Sequence, residues 1–166
     1  MLRRAGTLIH LDFGPQHEQP GAWRVLVATV ASIVGSLAAD AILVAIGTTV
    51  FPSTKGYVHF QFSDYGKLTV IGVLIASAAW PITTRITSQP RWMFFRMAIL
   101  VTLVLWLPDV YILHLGAPPR AVAVLMVMHL AIAVVTYTLL TRVAPVRRHG
   151  RQAAGRRHAV TAGQED

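Results

Sequence analysis

Residues 25–47 read VLVATVASIVGSLAADAILVAIG, an apolar run in which Asp40 is the one ionisable side chain. At 1.5 Å per residue about 20 such residues cross a hydrocarbon core of roughly 30 Å. Three further runs of similar character follow at Leu68–Thr84, Met97–Leu115 and Ala121–Leu140. The composition agrees with four membrane spans: 54% of the residues are hydrophobic and 13% charged, where a soluble domain carries about 25% charged residues.

The net charge of +8 prompts a nucleic-acid reading, but its distribution points elsewhere. Of the fifteen Lys and Arg residues, Arg3, Arg4, Arg24, Arg85, Arg91, Arg96, Arg142, Arg147, Arg148, Arg151, Arg156 and Arg157 fall on one set of alternate segments. Lys55, Lys67 and Arg120 fall on the other. Positively charged segments stay on the cytoplasmic side, so both termini are expected there and no nucleic-acid partner is expected. The chain divides into an N-terminal interfacial segment (1–23), a four-helix transmembrane domain (24–141) and a basic tail (142–166) that adheres to anionic headgroups. The apolar stretch after Arg3 and Arg4 is broken by His10, Asp12 and Pro15, so it lacks the core of a secretory signal.

The absence of cysteine excludes disulfides, thiolate metal sites and Cys nucleophiles. No G-x-S-x-G, Walker, H-E-x-x-H or C-x-x-C motif occurs. The sequence therefore predicts no enzyme, no cofactor and no metal. The segment Thr48–Gly66, with Phe51, Tyr57, Phe60, Phe62 and Tyr65, reads as an aromatic loop in the outer interface, and Trp23, Trp92, Phe94 and Phe95 read as interface markers. Short connections at 85–96 and 116–120 make successive helices antiparallel neighbours. Ala28, Ser32, Ser36 and Asp40 recur every four residues beside Gly35 and Ala39, and Gly72, Ala76 and Trp80 make a second stripe. Small residues so spaced permit close helix approach in lipid.

Ionisable side chains at membrane depth are costly and turn toward the bundle interior. Counting 1.5 Å per residue puts Asp40 about 22 Å, Asp109 about 18 Å and His129 about 17 Å from the cytoplasmic side. That is one level to within a helical turn, a candidate buried polar cluster. Pro108 beside Asp109, and Pro81 after Trp80, are expected to kink their helices and free a carbonyl one turn earlier. Tyr111 and Tyr137 are candidate contributors of hydroxyls. Two roles compete for the cluster: an Asp–His contact that fixes helix rotation, or a proton or cation site of a small transporter.

The pattern Leu125, Met128, His129 and Leu130 in the last span resembles the small four-span membrane proteins of unknown function found in actinobacteria. The resemblance implies a four-helix fold and assigns no substrate. The sequence thus predicts an all-α, antiparallel four-helix bundle in the bacterial inner membrane, with the lipid bilayer as its surroundings. Its expected role is that of a non-enzymatic accessory or scaffolding subunit with a membrane-protein partner. The alternative is a proton-coupled transporter acting as a homodimer.

Overall fold

A computed structural model describes residues 17–148. It contains four long helices: α1 (Ala22–Val50), α2 (Phe62–Ile86), α3 (Pro90–His114) and α4 (Pro119–Val143). Each is long and apolar enough to cross a membrane. Two-residue strands β1 (His17–Glu18) and β2 (Arg147–Arg148) pair antiparallel. The two ends of the described segment therefore meet at one end of the bundle, the terminal end. The α1–α2 loop and the α3–α4 turn lie at the far end. The segment 1–16, most of the expected interfacial arm, and 149–166, most of the basic tail, lie outside the described residues.

Helix starts and stops follow local chemistry. Pro90 and Pro119 open α3 and α4, where a missing N–H costs no hydrogen bond. At the far end of α3 Gly116 adopts φ +93°, a backbone region that residues with a Cβ avoid. It lets the Gly116 amide reach the Leu113 carbonyl and the Ala117 amide reach that of Ile112, the double closure of a Schellman turn. Helix α2 starts earlier than the apolar run suggests, at Phe62, so the aromatic loop shortens to residues 51–61 and folds into two 3-10 turns, Pro52–Thr54 and Val58–Phe60.

The burial pattern inverts that of a soluble protein. On α1 the fully buried side chains are Ala28, Ser32, Ser36 and Asp40, while Val30, Val34, Ile42 and Ile46 are each more than half exposed. Leu68, Leu100 and Leu107 likewise face outward. Such a surface is costly in water and neutral against acyl chains, whereas small interior residues let backbones approach. The most extensive interface joins α1 and α4, and it needs glycine at two points. A Cβ on Gly47 would lie 2.9 Å from Val124 Cγ2, and one on Gly35 would lie 3.1 Å from Val135 Cγ1.

Two expectations change. Gly72 has open space around it, Ala76 is half-buried, and the face that α2 buries runs through Tyr65, Thr69, Val73, Ser77, Trp80 and Thr84. Phe94 is an interior residue, 4% exposed, stacked on Tyr137 and tilted against Trp80. Trp92 keeps an edge position with the Arg96 guanidinium 3.2 Å from its ring centroid. Pro81 and Pro108 both lie inside helices that continue past them.

Candidate functional site

The core is stacked in layers. At the terminal end Ala28 (α1), Trp80 (α2), Phe94 (α3) and Leu140 (α4) form one apolar cluster with Ala144. The Trp80 indole N–H donates to the Ala144 carbonyl at 3.0 Å. At the far end Tyr65 and Leu125 cluster with Phe60, Ala121 and Met128, and Val44 and Ile112 pack against them. Phe60 comes from the second 3-10 turn, so the loop plugs this end, with Tyr57 edge-on to Phe60 at 5.3 Å between ring centroids.

One helical turn inward from the far-end cluster, the 3.6-residue repeat brings Asp40 (from Val44), Thr69 (from Tyr65), Asp109 (from Ile112) and His129 (from Leu125) to the same level. The Thr69 hydroxyl donates to Asp40 Oδ2 at 2.7 Å. His129 Nδ1 lies 3.1 Å from Asp109 Oδ2. The two atoms are buried, within hydrogen-bonding distance of each other, and have no other polar partner, while Asp40 Oδ1 has none at all. His129 is within electrostatic reach of Asp40 as well. The structure therefore brings together one close pair, Asp109 with His129, and sets Asp40 beside it on a hydroxyl partner. Asp40 is fully buried, Asp109 4% exposed, and the His129 side chain one quarter exposed.

The loop adds ionisable groups that depth counting along the spans leaves out. His59 Nδ1 meets Asp64 Oδ2 at 2.6 Å, both about two-fifths exposed, and His59 is within electrostatic reach of Asp109. Burial, helped by the nearby Asp109 carboxylate, pushes the Tyr57 phenol above its ordinary value of 10.0. A histidine two residues past Tyr57 and five before Asp64 is the signal in the sequence for this outer pair. Tyr111 and Tyr137 take no part: Tyr111 is 64% exposed, and the Tyr137 hydroxyl donates to the Arg91 carbonyl at the terminal end. Among the described residues no group of three or more His, Asp or Glu side chains is arranged to hold a metal ion.

The arrangement is suited to proton chemistry. A carboxylate and an imidazole at this distance can pass a proton between them. A family model described as a family of unknown function (DUF6069) matches residues 16–146. No curated protein and no solved structure matches the chain.

Proposed function

The chain belongs to the DUF6069 family, a family of unknown function, and from its bundle we propose a small proton-coupled transporter in which Asp109 and His129 bind the proton and Asp40 tunes it. The observation that carries this reading is the 3.1 Å approach of His129 Nδ1 to Asp109 Oδ2 between two apolar layers. A purely structural contact would satisfy its buried atoms, because an unmet polar atom loses its hydration for nothing. Here Asp109 Oδ2 and His129 Nδ1 have only each other and Asp40 Oδ1 has no bonded partner, so the cluster keeps acceptor capacity open for a proton, which favours a site that gains and loses a proton over helix glue. The sequence carries none of the common catalytic motifs, and the protein is read as no enzyme. The asymmetry of Lys and Arg supports cytoplasmic termini and a bacterial inner membrane, and the Ala-, Val- and Arg-rich composition supports an actinobacterial host.

The test is proton flux in proteoliposomes carrying a trapped pH dye under an imposed potential. Asp109→Asn and His129→Gln are expected to lower the flux at least about tenfold, a barrier increase of about 1.4 kcal/mol, while the protein remains folded. Flux unchanged in both variants overturns the reading. A second reading, an accessory subunit, is favoured by α3, which buries only Pro90, Phe94, Thr102 and Asp109 and leaves a broad apolar face for a partner span. Stoichiometric copurification of a second membrane protein, with no flux in the parent, is its signature.

A further inference from the structure

A second polar layer lies between the proton site and the terminal end. One turn outward from the Ala28–Trp80–Leu140 cluster, helical spacing brings Ser32 (α1), Ser77 (α2) and Thr136 (α4) to one level, with Ser36 a turn further along α1 toward Asp40. These side chains are between 0 and 5% exposed, and all four hydroxyls are buried without a hydrogen-bond partner.

That condition departs from how the rest of the bundle treats its hydroxyls. Thr29, Thr83, Thr84, Thr102 and Thr141 each donate to a carbonyl three or four residues back, at 2.7 to 2.8 Å, the usual local solution for a helical hydroxyl. Ser32, Ser36, Ser77 and Thr136 do not take it. Pro81 adds to the deficit. It sits four residues after Ser77 inside α2 and has no N–H to give the Ser77 carbonyl. Three helices thus turn unmet donors and acceptors toward one level, and a buried water is held by two to four such partners.

We propose that Ser32, Ser36, Ser77 and Thr136 form an internal water-binding chamber that links Asp40 to the cytoplasmic half of the bundle. Ser36 and Ser32 descend from Asp40 at one-turn intervals, so the file covers about 11 Å and ends on the Trp80 layer. Trp80 is fully buried and tied to the Ala144 carbonyl, so it closes the chamber from below. Water there carries protons between Asp40 and the terminal end whenever that layer opens. The transport role of the chamber rests on the proton reading above; its hydration does not.

Two measurements on the full-length protein in lipid separate the two ideas. Brief X-ray radiolysis generates hydroxyl radicals from bound water, so Trp80, sealed from bulk solvent, is expected to be oxidised in the parent. The combined variant Ser32→Ala, Ser77→Ala, Thr136→Val removes three hydroxyls while keeping the branched shape at position 136, and is expected to lose that oxidation. It is also expected to lower proton flux about tenfold, a barrier change of about 1.4 kcal/mol. Trp80 equally unmodified in parent and variant overturns the chamber, whatever the flux. Oxidation lost in the variant, with no flux in either protein, upholds the chamber and removes the proton reading. Flux unchanged in the variant, with oxidation lost, upholds the hydration and overturns the chamber as a proton route.

Discussion

Replacing Gly47 by Ala tests the α1–α4 interface on which the polar layers depend. The new Cβ would sit 2.9 Å from Val124 Cγ2 and 3.2 Å from Cγ1, where carbon atoms prefer about 3.5–4.0 Å. The helices must part by about 0.6 Å or the valine must leave its rotamer. Overpacking of this kind costs about 1–3 kcal/mol, partly offset by the roughly 0.8–1.0 kcal/mol that Ala gains over Gly in a helix interior. Gly72→Ala is the control, since nothing lies within 4 Å of the Cβ it would carry, and it keeps the propensity gain alone. The two variants should therefore differ by about 1–3 kcal/mol, read from reversible unfolding in mixed micelles by tryptophan fluorescence. Adding Val124→Ala removes both offending methyl groups, and the double-mutant cycle should return a favourable coupling of about 1 kcal/mol or more. Gly47→Ala as stable as Gly72→Ala, or no rescue by Val124→Ala, refutes the close approach.

Three further outcomes follow from other parts of the molecule. Trp80→Phe keeps an aromatic ring but leaves the Ala144 carbonyl without its donor, so thermal unfolding should show a loss of about 1–3 kcal/mol; parental stability would contradict that hydrogen bond. Because the folded-state Tyr57 pKa is raised above 10.0, the stability it contributes is complete below that pH and is lost as pH climbs through the higher folded value. Tyrosinate absorbance should accordingly lose a component titrating above pH 10 in Tyr57→Phe, and a lost component centred at or below 10 is the contrary result. The parent has no cysteine, so Ser53→Cys should react with an impermeant maleimide on intact cells and Gln89→Cys only after lysis. The reverse pattern would invert the orientation drawn from the arginines.

What was legible in the fold came from length and from α1. Four apolar runs give four helices, and the four-residue recurrence of Ala28, Ser32, Ser36 and Asp40 marks a face that the structure buries completely. On α2 the same reasoning found Trp80, which is buried, and Ala76, which packs against the terminal-end cluster, but also took in Gly72, which lies in the open. Small and apolar residues occur all round that helix, so Gly72–Ala76–Trp80 carries no more information than its neighbours. The hydroxyls were the better guide: Thr69, Ser77 and Thr84 are all buried, because lipid offers a polar side chain no partner. The early start of α2 escaped notice because Phe62–Lys67 is too polar to extend an apolar run. Asp64 in its first turn nonetheless suits the positive end of the helix dipole.

The site divides along the same line. Counting residues from span ends places Asp109 opposite His129, and a contact of 3.1 Å needs only that two antiparallel helices be in register. Counting cannot tell which hydroxyls bond back to their own helix and which do not, since Thr102 and Thr136 read alike in the sequence. Thr102 Oγ1 donates to the Ala98 carbonyl, whereas Thr136 Oγ1 has no partner. Nor can counting find the seals. Phe60 and Trp80 stand 20 residues apart in the sequence, one in a loop and one within a span, yet they close opposite ends of one polar column. The two closures are held differently. Trp80 is fixed by a hydrogen bond to the segment following α4, while Phe60 rides on a 3-10 turn anchored by apolar packing, by short-range backbone bonds and by the half-exposed His59–Asp64 pair. Apolar packing has no directional requirement, so the far-end closure is the one that can loosen without leaving a buried polar group unpaired.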